Sequence, residues 1–415
     1  MKARFLKASL KAKEETPMSR IIVLTGARQT GKTTLAKHCF SDHKYLSIED
    51  PIMRLQYKKL TASQWKELFP RAILDEVQKE PQLIESVKSA YDQFSDVRYV
   101  LLGSSQLLLL KKIKESLAGR CIIKELLPLT LPEILTKSWD ETIKPSFFQQ
   151  FIQDKKLPDL LPSFQLYPDF AIRKTAFDYY MNYGGYPALT DENINDSDRY
   201  EWLSNYIQTY LERDIRDLAE IRLLEPFIKI QQLSANLTGQ LINFSNLAND
   251  ADINSKTARK FINYLEISYQ AILLQPWFGN KIKRLVKTPK LHYLDPGVLK
   301  GILNKKGALN GHEFESAVIA EIYKQFKAIE GKGNFYHLRT HSGIEIDLLI
   351  ELEEGYLAFE IKLTNKISNK DSRHLVKLDK ILDKPLIHSF IISNDMMVQK
   401  INEHITALPA SMFLT

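Results

Sequence analysis

Apolar positions in the first third of the chain come in short runs separated by amphipathic stretches. Arg20-Ile-Ile-Val-Leu-Thr25 reads as a buried strand, and Lys44–Ile48, Arg71–Leu74, Arg98–Leu102 and Cys121–Lys124 repeat the pattern. Helical spacing appears between them, for example over Leu83–Phe94. Strands alternating with helices predict a parallel sheet covered on both faces. The pattern then changes: Trp139–Tyr167 is rich in Pro, Phe, Gln and Lys and reads as an insertion or lid. Further on, Phe244–Ala251 reads as a short helix beginning at Ser245, Asp252–Asn254 as a turn, and Ser255 as the cap of a helix reaching about Glu266. Ala258, Phe261, Ile262 and Leu265 share the buried face of that helix, leaving Lys256, Arg259 and Lys260 outside. Gln270–Leu274 and Leu291–Leu294 read as strands, and near the C-terminus Gly343–Ile350 and Tyr356–Leu363 alternate as two more.

Composition narrows the class. The 415 residues call for two to four domains, and 44% hydrophobic with 26% charged residues is the balance of a soluble globular protein. The longest apolar run, Tyr99–Leu110, is too short to span a bilayer and is broken by Ser104, Ser105 and Gln106. A basic N-terminus without an apolar stretch gives no secretory signal, and two cysteines, Cys39 and Cys121, argue against a disulfide scaffold or a cysteine metal site. A cytoplasmic protein without membrane attachment is expected. The net charge of +7 permits nucleic-acid binding, and Lys281–Lys290 holds five basic residues and no acid.

The most specific chemistry follows the first strand. Gly26-Ala27-Arg28-Gln29-Thr30-Gly31-Lys32-Thr33-Thr34 fits G-x-x-x-x-G-K-[ST], with a strand before it and a helical pattern after it. Glycines let successive N–H groups converge on phosphate oxygens at a helix N-terminus. Lys32 is expected to reach the β- and γ-phosphates of ATP, and the Thr33 hydroxyl to complete the shell of a Mg²⁺ ion. Ala72-Ile-Leu-Asp75-Glu76 ends another apolar strand in two carboxylates. Asp75 is placed to hold the metal through water and Glu76 to polarise the attacking water. Ser104 and Ser105, after a third strand, are candidates for sensing the γ-phosphate. Arg120 and Arg213 are candidates for stabilising charge on the phosphoryl group, or are ordinary surface arginines.

Gly26–Thr33, Leu74-Asp-Glu-Val-Gln78, Leu102-Gly-Ser-Ser105 and Ser116-Leu-Ala-Gly-Arg120 together resemble a large prokaryotic family of AAA+-type P-loop ATPases. Members carry a C-terminal domain of unknown function. The resemblance continues through Tyr183-Gly-Gly-Tyr-Pro187, Glu212-Arg-Asp214, Lys283-Arg-Leu-Val-Lys287 and Tyr293-Leu-Asp-Pro-Gly297, so it covers nearly the whole chain in order. It implies an α/β fold: a P-loop sheet of the additional-strand class, a helical lid, a winged helix and a nuclease-like terminal domain. The corresponding boundaries are 1–135, 136–222, 223–298 and 299–415.

Two short helices and a tight turn make a helix-turn-helix unit, whose second helix can enter a DNA major groove. Lys256, Arg259 and Lys260 on that helix, with Lys283, Arg284 and Lys287 on the basic stretch between the strands, are the candidate contacts to double-stranded DNA. The same unit can instead contact protein, and the basic run can be a solvated face.

In the terminal region Glu345 and Asp347 share one strand face, as do Glu360 and Lys362, and Glu315 lies on an apolar helix face with Val318, Ile319 and Ile322. A carboxylate there needs a partner, because burying it alone is costly. This set resembles the PD-(D/E)xK nuclease core, with Ile346 in place of the proline before the first acid. The resemblance implies that Asp347, Glu360 and Glu315 bind Mg²⁺ while Lys362 positions or activates water. Strand-surface ion pairs are the alternative. Three functions follow: an ATP-hydrolysing switch acting on DNA through its C-terminal modules, an ATP-regulated metal-dependent nuclease, and a non-hydrolysing adaptor for DNA or protein. A protein partner or a homo-oligomer is compatible with all three.

Overall fold

The computed structural model describes residues 1–14, 16, 20–103, 113, 116–155, 169–211, 224–279, 288–340 and 343–415. The N-terminal sheet is built from β1 (Ile21–Thr25), β2 (Lys44–Ser47), β3 (Arg71–Asp75), β4 (Arg98–Leu102) and β5 (Cys121–Glu125) in the order β2-β3-β4-β1-β5. Every neighbouring pair is parallel. β4 is therefore inserted between the P-loop strand and the strand ending in Asp75, the additional-strand order that the resemblance implies. Along β1 the side chains alternate: Ile22 and Leu24 pack with Leu35 and Ala36, and Ile21 and Val23 with Leu46, Leu83 and Val87. A strand buried on both faces has to be apolar throughout, which is why this region reads as runs and not as alternation.

The middle of the chain holds helices Leu224–Asn236, Phe244–Asp250 and Ser255–Ile267 beside β6 (Gln240–Leu241), β7 (Ala271–Pro276) and β8 (Lys290–Tyr293). β8 pairs antiparallel with both β6 and β7. The cap of the second helix, Ser255–Ile267, lies one residue earlier than expected: Asn254, not Ser255, stands there and accepts from Thr257 N–H at 2.8 Å. An amide oxygen does the capping work there as well as a hydroxyl does.

The terminal region begins with the helix Gly311–Ala328, followed by β9 (Asn334–Arg339), β10 (Glu345–Glu351) and β11 (Tyr356–Lys362) as an antiparallel meander. β12 (Leu386–Ser393) then runs parallel to β11, with β13 (Gln399–Asn402) and β14 (Ile405–Pro409) beyond it. β7 pairs parallel with β9 at Gln275–Tyr336 and Pro276–His337. One nine-stranded sheet, β13-β14-β12-β11-β10-β9-β7-β8-β6, thus runs through both C-terminal regions without a break in hydrogen bonding.

Helices Phe147–Asp154 and Phe170–Tyr183, which the sequence assigns to a lid, share an apolar core with the terminal sheet. Phe148 and Phe151 pack on Phe359, Phe390 and Phe413, and Phe177 packs on Phe314. The Tyr183–Pro187 and Tyr293–Gly297 motifs interlock: Asp295 caps the helix Pro296–Ile302 and also accepts Gly185 N–H at 2.7 Å. Gly184 has φ +75°, and a Cβ there would lie 1.8 Å from the Asp295 carboxylate, so this approach requires glycine. No helix among the described residues is long and apolar enough to cross a membrane.

Candidate nucleotide site and terminal carboxylate cluster

The loop after β1 turns at Gly26 (φ +144°), where a Cβ would meet the Leu126 carbonyl oxygen at 2.1 Å. Gln29 is also left-handed, and Gly31 (φ +89°) opens the helix Lys32–Cys39. Thr30 Oγ1 donates to Ala27 O at 2.9 Å, closing the loop on itself. Lys32 is buried, and its Nζ donates to Gly26 O at 3.0 Å and Ala27 O at 2.7 Å. Thr34, next on the helix, lies at the edge of the same loop.

Parallel pairing carries β3 to the same sheet edge, so Asp75 stands beside the loop. Thr33 Oγ1 donates to Asp75 Oδ2 at 2.7 Å, and Tyr45 OH donates to the same oxygen at 2.9 Å. Burial and the Asp75 charge push the Tyr45 phenol above its ordinary range, so it stays a donor. Asp75 Oδ1 accepts Glu76 N–H at 3.0 Å. Glu76 occupies left-handed backbone (φ +57°), an uncommon conformation for a side chain of its size, and its carboxylate accepts from Gln78 Nε2. Tyr45 was not predicted, since only the pairing of β2 with β3 brings it to Asp75.

Arg120 does not join this site. It precedes β5, at the opposite end of the sheet from the loop, about 16 Å away for a five-residue strand. Its guanidinium is paired with Asp92, Nε to Oδ1 at 2.7 Å and Nη2 to Oδ2 at 3.2 Å. The expectation that Arg120 serves the phosphoryl group of its own nucleotide is thus corrected by strand direction. Ser104, Ser105 and Arg213 lie outside the described residues.

A cavity of about 230 Å³ adjoins the loop, lined by Met1, Arg4, Thr30, Gly31, Trp139 and Pro187 among others. Two phenols from distant elements touch the loop's flanks. Tyr206 OH donates to Arg28 O at 3.3 Å, and Tyr269 OH donates to Thr25 Oγ1 at 3.1 Å. Tyr269 follows the second helix of the helix-turn-helix pair, so β1 and that unit are in direct contact. On that helix Lys256, Arg259 and Lys260 are exposed, and the Arg259 guanidinium lies 4.1 Å from the centre of the Phe244 ring. Lys283, Arg284 and Lys287 lie outside the described residues.

The terminal carboxylates do converge. The register of β10 against β9 shifts between Ile346 and Leu349, around Asp347. Asp347 Oδ2 accepts Ile361 N–H at 2.8 Å, and Lys362 Nζ lies 2.6 Å from Glu360 Oε1. A residue that the sequence reading left in the basic run completes the cluster. Lys290 on β8 places Nζ 2.5 Å from Glu315 Oε1 and 3.3 Å from Asp347 Oδ1. Burial and then the Asp347 charge push Glu315 up to about 8 and Glu360 up to about 7. Burial alone would lower Lys290, but Asp347 and Glu315 raise it above its ordinary value. Three carboxylates against two ammoniums leave one excess negative charge, so it is a carboxyl that is driven toward its neutral form.

Among the described residues no group of three or more His, Cys, Asp or Glu side chains is arranged to hold a metal ion. Glu315, Asp347 and Glu360 are instead seen in the ion pairs and hydrogen bonds that are the alternative reading of this set. Lysines and a backbone N–H face these oxygens: Glu315 Oε1 has the Lys290 ammonium as its ion-pair partner, and Glu360 Oε2 is buried without a hydrogen-bond partner.

The AAA domain family matches residues 18–135. Two domains of unknown function, DUF8612 and DUF4143, match residues 174–308 and 310–413. Uncharacterized proteins of Mycobacterium tuberculosis and Mycobacterium bovis are each 26% identical over 95% of this chain and 81% of their own length. One of Methanocaldococcus jannaschii is 27% identical over 84% of this chain and 76% of its own. Among solved structures, a Walker-type ATPase of Pyrococcus abyssi is 15% identical, covering 71% of this chain and 95% of that one at a TM-score of 0.44. The ORC2 protein of Aeropyrum pernix, also 15% identical, covers 72% and 92% at 0.22. Loop, sheet order and family match agree: the N-terminal part of this chain has the fold of an AAA-type P-loop ATPase.

Proposed function

We propose that the chain binds Mg–ATP at the Gly26–Thr34 loop, hydrolyses it, and passes the nucleotide state to its C-terminal modules. The contact between the Thr33 hydroxyl and the Asp75 carboxylate, 2.7 Å apart beside Lys32, carries the reading. Both are hard oxygen ligands, Asp75 at the carboxyl end of a parallel strand and Thr33 in the first turn of the helix after the loop, and they fit a Mg²⁺ ion. When bound, the metal neutralises charge on the β- and γ-phosphates. Lys32 exchanges its two carbonyl partners for phosphate oxygens, a charge-assisted and therefore stronger pairing. Glu76, aimed by its left-handed backbone and by Gln78, accepts the proton of the attacking water. The cavity lined by Trp139 and Pro187 suits the base.

Tyr206 and Tyr269 support the coupling, since each ties one flank of the loop to a helix outside the ATPase sheet. The helix-turn-helix unit with its antiparallel strands has a winged-helix outline, and its exposed Lys256, Arg259 and Lys260 suit DNA phosphates. Domain limits of 1–135, 136–222, 223–298 and 299–415 go with this reading. Phosphate release with and without duplex DNA tests it. The expected result is turnover that DNA changes and that falls back as salt rises. Bound ATP without phosphate release in either condition would favour the non-hydrolysing adaptor.

A further inference from the structure

The nuclease-like set in the terminal sheet carries a cation of its own. Lys290 belongs to the strand unit beside the helix-turn-helix pair, yet its side chain reaches a helix and a strand of the terminal region and is buried between them. The ammonium bridges Glu315 Oε1 and Asp347 Oδ1, the two oxygens that a shared metal would take. Asp347 Oδ2 is committed to Ile361 N–H and Glu360 Oε1 to Lys362. A divalent ion on the Glu315–Asp347 pair would stand within contact distance of a positive charge that has no room to leave, and like charges at that range repel strongly. Glu345, His292 and His337 also face Lys290; burial lowers both histidines and keeps them neutral, and Lys362, paired with Glu360, is the second ammonium of the cluster.

We propose that Lys290 is the resident cation of this site: its ammonium replaces a divalent metal between Glu315 and Asp347 and fastens the helix-turn-helix unit to the terminal sheet. As the chain stands, the site holds no metal and cuts no DNA. Removing the ammonium leaves two buried carboxylates able to share a small divalent ion, with waters completing the shell.

The test is a Mn²⁺ titration of the full-length, nucleotide-free protein, read by electron paramagnetic resonance of free Mn²⁺ and by melting temperature. Wild type and Asp347→Asn should titrate alike. Lys290→Ala and Lys290→Met should each gain one site, at least tenfold tighter than any in wild type, with a Mn²⁺-dependent rise in melting temperature. Adding Asp347→Asn should abolish both gains. Wild-type Mn²⁺ binding or plasmid nicking that disappears in Asp347→Asn would overturn the proposal. So would folded Lys290 variants that gain no site. If neither Lys290 variant folds, the comparison of wild type with Asp347→Asn decides by itself: an Asp347-dependent site overturns the proposal, and matching titrations support it.

Discussion

The nucleotide loop and the terminal cluster are built from the same materials, a lysine, carboxylates and hydrogen-bond donors at the ends of strands, yet they differ in what a ligand must displace. At the loop, Lys32 rests on two neutral carbonyls and Asp75 on two hydroxyls. A triphosphate and its metal offer each of them a stronger partner. In the terminal cluster the carboxylates already have ammonium partners, the buried Lys290 and the partly exposed Lys362. Breaking such a pair costs far more than exchanging a neutral hydrogen bond. Residue types alone would class both as metal sites; the partners separate an exchangeable site from a closed one.

The largest effect that breaks this comparison is Lys290→Ala without metal. Two carboxylates lose their shared partner, and urea unfolding should show a loss of about 3–5 kcal/mol. A loss of only a few tenths would mean that the cluster is not electrostatically closed. Next comes Lys32→Ala, which should weaken ATP on the order of 100-fold in a titration calorimeter, as expected for lost charge-assisted bonds. Because Lys32 donates to the neutral carbonyls of Gly26 and Ala27, its removal should cost less stability than that of Lys290.

Acid should remove one contribution to stability from the C-terminal half. Burial holds His337 down to about 4 against an ordinary 6.5, so the unfolded chain takes up its proton first as pH falls. Stability is therefore present above pH 6.5 and is lost as pH falls toward 4, by on the order of 2–3 kcal/mol for this group. His337→Gln should flatten that slope in unfolding curves recorded from pH 7 to pH 4. The smallest effect is Tyr45→Phe. Removing one of the two hydroxyl donors on Asp75 Oδ2 should tighten Mg–ATP by a few-fold, within about 1 kcal/mol, and weaker binding would show that the phenol supports the site.

Local signals made the nucleotide half legible. The loop, the five apolar strands and the Asp75–Glu76 pair are each contiguous in sequence, and the parallel order follows from strand–helix alternation. Arg120 stayed open between a phosphoryl role and a surface arginine because its motif fixes a neighbour, not a sheet end; only the direction of β5 puts it at the end of the sheet away from its own loop. In the terminal region Asp347, Glu360 and Lys362 could be read from alternation on two strands. Lys290 could not, because its partners Glu315 and Asp347 lie 25 and 57 positions later, on a helix and a strand that only the folded chain brings to β8. β12 and β14 were missed for another reason: buried runs such as Phe390-Ile391-Ile392 have no alternation to read. The continuity of the nine strands through Gln275–Tyr336 was equally invisible.

The central claim is that the loop with Asp75 and Glu76 is a working hydrolytic site. Phosphate release from Mg–ATP, measured side by side on wild type and on Glu76→Gln at saturating nucleotide, tests it most directly. Wild type should turn over, and Glu76→Gln should bind ATP as tightly while releasing phosphate at least 100-fold more slowly, about 3 kcal/mol of barrier. Equal rates in the two proteins would contradict it.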